Sequence, residues 1–166
     1  TPDVSSAASD VYKRQGNSNI TWHYIGKIQS NKIKTICKLF DWVHTISSEK
    51  HVKKIDEMSK SINKVMNVCI QINIDNEQTK GGITLEEYEK FSSSLHDLEN
   101  IRLRGLMTIP RSDIPSDESF ARMYDLYKNN DYLDTLSMGM SSDFVTAIEN
   151  GANMLRIGQE IFGRRT

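Results

Sequence analysis

The sequence predicts an α/β fold, a (β/α)8 TIM-type barrel that lacks its first two strand-helix units. Short apolar runs alternate with amphipathic stretches from Trp22 to the last few residues, and such alternation gives parallel strands joined by right-handed crossovers. Polar and glycine-bearing residues gather at the carboxyl ends of the last two runs, where parallel α/β folds bind their ligands. A complete barrel takes about 250 residues, so the six units found in 166 residues leave two short, on the N-terminal side. An open six-stranded doubly wound sheet is the alternative architecture.

The first strand is expected around WHYIG, followed by a helix with Ile33, Ile36, Cys37 and Phe40 on one stripe and Ser30 or Asn31 as its cap. WVHTI is the second strand. A helix from about Ser48 then repeats Val52, Ile55, Met58 and Ile62 at helical spacing. Between Val65 and Asp75, Met66, Val68, Ile70, Ile72 and Ile74 alternate with Asn67, Cys69, Gln71, Asn73 and Asp75, a strand with one apolar and one polar face. Thr84-Leu85-Glu86-Glu87 fits a capping box ahead of a helix buried through Tyr88, Phe91, Leu95 and Leu98. IRLRGLMTI follows as strand four. A helix from Ser116 or Asp117 aligns Phe120, Met123, Tyr124 and Tyr127, YLDTLSMGM is strand five, Ser142 opens a short helix closed by Asn150-Gly151, and MLRIG is strand six.

Residues 20–166 are read as the partial barrel domain and residues 1–19 as a leader outside it. Thr1 to Gln15 show no periodicity that would bury a face, and DVYKRQ resembles the translation of a sequencing-library adapter end, which marks a non-native start. The apolar content of 37%, the charge content of 26% and the net charge of −1, with both signs interspersed, give no basis for nucleic-acid or anionic-membrane binding. No run approaches the roughly 20 apolar residues of a membrane helix, so a cytoplasmic location is expected. Cys37 and Cys69 are too few for a disulfide framework and are expected to be buried thiols. His23, His44, His51 and His96 have no spacing suited to a metal, and no metal site is predicted.

The strand ends nominate the site. Strand five finishes in Ser137-Met138-Gly139-Met140-Ser141-Ser142, a hydroxyl and glycine cluster at a helix start that can cradle an anion. Strand six finishes in Arg156-Ile157-Gly158-Gln159, with an arginine just inside the rim and a glycine where backbone can approach a ligand. Separately these are caps and a salt-bridge residue; on adjacent terminal strands they predict a phosphate site. His23 and Asn73 are weaker candidates at other strand ends.

WHYIGKIQSNK (Trp22 to Lys32), the IQIN strand with its TKGG, RLRGLMTIP (Arg102 to Pro110), LSMGMSSD (Leu136 to Asp143) and LRIGQEIFG (Leu155 to Gly163) resemble, in order, the signatures of the pyridoxal phosphate homeostasis family. These proteins are single-barrel relatives of the alanine racemase N-terminal domain. The resemblance implies that Ser137 and the amides around Gly158 and Gln159 grip the phosphate of pyridoxal 5′-phosphate, that Arg156 faces the pyridine nitrogen, and that Met107 or Ile109 packs near the ring. A guanidinium there keeps the ring nitrogen unprotonated and weakens the cofactor as an electron sink. Gln159 departs from the family, which often carries a hydroxyl at this position. The family's Schiff-base lysine lies on the first strand, in the stretch this chain lacks, and none of Lys27, Lys32, Lys34 or Lys80 takes its place.

The function implied is intracellular vitamin B6 cofactor homeostasis by reversible binding, without catalysis. An amino-acid racemase-like enzyme, or a barrel enzyme acting on another phosphate ligand, is the alternative. The expected partner is the small-molecule cofactor, and the full-length form is expected to be a monomer. Exposed sheet edges in a barrel short of two strands predict a marginally folded chain.

Overall fold

The structure, a computed structural model, describes residues 20–163, and the leader predicted over residues 1–19 lies outside them. Six strands alternate with six helices: β1 (His23–Tyr24), α1 (Ile33–Leu39), β2 (Trp42–Ile46), α2 (Glu49–Ser61), β3 (Met66–Ile72), α3 (Tyr88–Ser93), β4 (Ile101–Thr108), α4 (Asp117–Lys128), β5 (Thr135–Met140), α5 (Phe144–Glu149), β6 (Met154–Arg156) and α6 (Gln159–Phe162). All strands join one parallel sheet in the order β1-β2-β3-β4-β5-β6. Purely sequential order is what a barrel arc gives, whereas doubly wound sheets reverse direction at a switch point.

A side-chain link shows that the sheet curls. His44 on β2 and Ser137 on β5 are hydrogen-bonded at 2.9 Å, although β3 and β4 separate their strands. In a flat sheet three strand spacings put β2 and β5 about 14 Å apart, beyond the combined reach of a histidine and a serine. The chain is thus a half-barrel with a concave inner face, and the open-sheet alternative does not hold.

The main core lies between the sheet and its helices. Val43, Val68, Ile70, Ile72, Leu106, Leu136 and Met138 face Ile36, Cys37, Val52, Ile55, Phe91, Phe120, Met123 and Ala147. These helix residues recur at three- and four-residue intervals, so each helix presents one stripe to the sheet. A smaller cluster of Trp42, Cys69 and Met107, with Ile109 against it, lies apart from this core. Register places Gln71, Met107 and Ser137 side by side on β3, β4 and β5, next to that cluster. The predicted alternation of β3 is therefore present, but its second face is not open to water: Cys69 and Gln71 are buried, as a barrel interior requires.

Local signals are mostly met. Thr84 and Glu87 form a reciprocal capping box, the Thr84 amide donating to Glu87 Oε2 at 2.9 Å and the Glu87 amide to Thr84 Oγ1 at 3.4 Å. Ser48 and Ser116 precede α2 and α4 as predicted. At α1 the cap position is Lys32, because a turn over residues 30–32 comes before the first α-helical residue. Asp143, not Ser142, precedes α5, and its Oδ1 accepts the Met140 amide at 2.6 Å. Tyr124, expected on the buried stripe of α4, is partly exposed, with its ring lying over Gly151. The four-residue α6 was not anticipated, since no helix that short carries a periodicity.

Cys37 and Cys69 are free and buried. Among the described residues no helix is long and apolar enough to cross a membrane, and no group of three or more His, Cys, Asp or Glu is placed to hold a metal.

Candidate functional site

Polar side chains on the inner face join into one hydrogen-bonded chain. His23 Nδ1 lies 2.8 Å from His44 Nε2, and His44 Nδ1 lies 2.9 Å from Ser137 Oγ. Arg156 donates from Nη1 to Ser137 Oγ at 2.9 Å and from Nη2 to the Thr108 carbonyl oxygen at 2.8 Å. Thr108 Oγ1 in turn donates to the Ile72 carbonyl oxygen at 2.9 Å. All six strands thus contribute to the chain.

The sequence builds this by placing His23, His44, Ser137 and Arg156 at inward positions of β1, β2, β5 and β6, while Thr108 and Ile72 on β4 and β3 contribute backbone carbonyls. Trp42 and His44 are two residues apart on β2, so they point to the same side. A register shift between Val43 and Ile46 then lets Ile46 turn back into the helix-side core. His23 stacks on Trp42 with ring centroids 5.1 Å apart and planes inclined by 16°, and the Arg104 guanidinium lies 4.8 Å above the Trp42 ring. The histidines are therefore held by aromatic packing as well as by hydrogen bonds.

Burial sets the charges. His44 is driven down to about 3 by desolvation, with the fields of His23 and Arg156 adding to it, so it is neutral at ordinary pH. His23 is lowered as well, desolvation outweighing the attraction of Asp41. Desolvation also draws Arg156 down to about 10, partly offset by Asp143, and the guanidinium stays charged at neutral pH. Burial pushes the Cys69 thiol up to about 12, which leaves it protonated and inert. The hydrogen-bonded chain accordingly holds one cation, Arg156, and two neutral imidazoles.

The predicted site residues fall into two groups. Ser137, Arg156, Met107 and His23 lie on or beside the inner face, Met107 paired in register with Ser137. Gly158 and Gln159 lie at the rim beyond β6, where the Gln159 amide donates to Ser141 Oγ at 3.2 Å. A β-carbon added to Gly158 would meet no atom within 4 Å, so the backbone there is open to close approach. Gly139 serves packing: its φ is +93°, and a β-carbon would fall 2.6 Å from that of Ala147.

Two expectations shift. Asn73 is not brought to the network, because its side-chain amide donates to the Glu77 carbonyl and its Oδ1 accepts the Glu77 amide, which fastens the loop after β3. Ser137 was expected to grip phosphate, but its buried hydroxyl is taken up by Arg156 and His44. Ser141 is the hydroxyl placed beside the Gln159 amide. His44 and Thr108 were not singled out as site residues. The signal that could have found His44 is its place two residues from Trp42 in a strand with no exposed position. A cleft lined by Ser47, Glu49, Ile83, Glu87, Lys90 and Phe91 shares no residue with the network. The candidate site is the inner face with the β5-β6 rim, where the half-buried Arg156 guanidinium and the unobstructed Gly158 backbone lie.

Residues 12–166 match the family model described as the alanine racemase N-terminal domain. The chain is 39% identical over 163 residues to the pyridoxal phosphate homeostasis protein of Pasteurella multocida, covering 93% of this chain and 70% of that protein. A protein of the same name from Haemophilus influenzae is 39% identical over 156 residues, covering 89% and 66%; the chain spans about two thirds of such relatives. Among solved structures, PipY of Synechococcus elongatus with PLP bound superposes with a TM-score of 0.83 at 26% identity, covering 95% of this chain and 77% of PipY. Alanine racemase of Clostridium difficile, at 18% identity and a TM-score of 0.72, shares the fold over 96% of this chain and 44% of its own. With its sequential parallel half-barrel and this degree of identity, the chain belongs to the alanine racemase N-terminal domain family, among relatives named pyridoxal phosphate homeostasis proteins.

Proposed function

We propose that this chain contributes the phosphate and ring-nitrogen side of a pyridoxal 5′-phosphate site and acts in cofactor homeostasis by reversible binding, without turnover. The observation that carries this reading is Arg156, a half-buried guanidinium held on two sides by Ser137 and the Thr108 carbonyl at the inner end of an open rim. PipY, the structural neighbour solved with PLP bound, supports the choice of ligand.

The residues present fit that ligand. Gly158 offers unobstructed backbone, and the Gln159 amide with Ser141 Oγ supplies two polar groups for phosphate oxygens. Ile109, partly buried against Met107, gives an apolar surface on which a planar ring can rest. When bound, pyridoxal phosphate supplies an aldehyde and an electron-accepting ring. Arg156 keeps its proton at neutral pH and donates hydrogen bonds, so a ring nitrogen facing it stays an acceptor and draws electrons less strongly. An arginine in this place favours holding the cofactor over using it for carbanion chemistry.

The test is a titration of the chain with pyridoxal phosphate followed by absorbance, with Arg156→Met in parallel. Saturable binding that Arg156→Met weakens supports the reading. Absence of binding to the unmodified chain, or equal binding by both, refutes it. Racemisation of alanine by the loaded chain would refute the non-catalytic part alone.

A further inference from the structure

The chain of His23, His44 and Ser137 admits two proton arrangements, and one of them strands a proton. Arg156 Nη1 donates to Ser137 Oγ, and His44 Nδ1 is that hydroxyl's other partner. Were His44 to carry its proton on Nδ1, it too would donate to the serine oxygen. The serine's own hydrogen, in a fully buried residue, would then have no acceptor within the network. With the proton on His44 Nε2 every group is served. Ser137 O–H donates to His44 Nδ1, His44 Nε2–H donates to His23 Nδ1, and His23 keeps its proton on Nε2. A cationic His44 would strand the same hydrogen and add a second positive charge beside Arg156.

We propose that Ser137, His44 and His23 form a one-way hydrogen-bond relay from the Arg156 guanidinium to β1 at the edge of the sheet. In it His44 is a positioning residue: it draws the Ser137 proton away from the inner face and fixes the serine oxygen as an acceptor for Arg156. His23 closes the relay at its half-exposed end, clamped against Trp42. The relay goes beyond the cofactor reading and does not depend on it, because it is a property of the ligand-free chain. It assigns opposite duties to two serines four residues apart, Ser137 within β5 orienting the arginine and Ser141 just beyond the strand remaining available to an anion.

The experiment is nitrogen-15 spectroscopy of histidine-labelled full-length chain with no ligand added, reading the tautomer of each ring from its long-range proton couplings. Both His23 and His44 are expected to carry the proton on Nε2, with Nδ1 as acceptor. Ser137→Ala is expected to give His44 a mixture of tautomers and to shift the nitrogens of His23. Ser137→Thr, which keeps the hydroxyl, should restore the original pattern. A proton on Nδ1 of either ring in the unmodified chain, or His23 nitrogens unmoved by Ser137→Ala, overturns the relay. If Ser137→Ala does not fold, His23→Ala decides: mixed tautomers at His44 support the relay, and an unchanged ring overturns it. Failure to bind pyridoxal phosphate would count against the proposed function and leave these outcomes intact.

Discussion

The carbonyl oxygen of Thr135 occupies the place where a side chain at residue 105 would begin. Gly105 and Thr135 are partners in the β4-β5 register, and a β-carbon on Gly105 would overlap that oxygen. The glycine is needed for space between two strands and not for an unusual backbone angle. Gly105→Ala must push β4 from β5, with an expected loss of about 3 kcal/mol or more, measured by urea unfolding. An alanine variant as stable as the parent would show that the strands separate freely.

Gly139→Ala combines two costs. The backbone there has φ +93°, and the new methyl would fall 2.6 Å from that of Ala147 on α5. The expected destabilisation is about 2 to 3 kcal/mol. Ala147→Gly in the same chain should recover the steric part alone, which a double-mutant cycle measures.

Stability should fall on mild acidification because of His44. Its folded value is about 3 against an ordinary 6.5, so below pH 6.5 the unfolded chain binds a proton that the folded chain refuses. The native state then loses ground continuously as pH drops toward 3. From pH 6.5 to 5 the loss from this residue is roughly 1.5 kcal/mol. His44→Gln removes the titration and should flatten the curve over that interval, whatever its stability at pH 8; curves of equal slope would contradict the burial argument.

Binding of pyridoxal phosphate should separate the rim from the inner face. Ser141→Ala removes one hydroxyl beside the Gln159 amide and is expected to weaken binding roughly 2- to 10-fold. Arg156→Lys cannot span Ser137 and the Thr108 carbonyl together and should lose more than about 10-fold. Absorbance titration gives both values. A Ser141→Ala chain that binds as well as the parent would return the phosphate to other groups.

What was readable in the sequence follows from the range of the interactions involved. Helix stripes such as Val52 and Ile55, and the Thr84-Glu87 box, are decided within a few residues, and they appear where periodicity and capping rules put them. The position of Arg156, Gly158 and Gln159 at the end of the sixth strand was legible because that strand's boundaries are set locally. His44 was not, since its meaning depends on Ser137, 93 residues away. No local pattern marks a pairing that exists only once the sheet curls. Asn73 shows the opposite case: a nearer partner, Glu77, four residues on, satisfies its amide and holds it in the loop after β3.

The strictly consecutive order of the strands also bears on how the chain is made. Each strand pairs only with those immediately before and after it, so the sheet can lengthen in the direction of synthesis, one unit docking on the last as it leaves the ribosome. Two bonds escape that vectorial growth, Ser137 reaching back to His44 and Arg156 reaching back to Thr108. They act as late latches: the first closes once β5 arrives and bends the arc, and the second ties Arg156 into it when β6 follows.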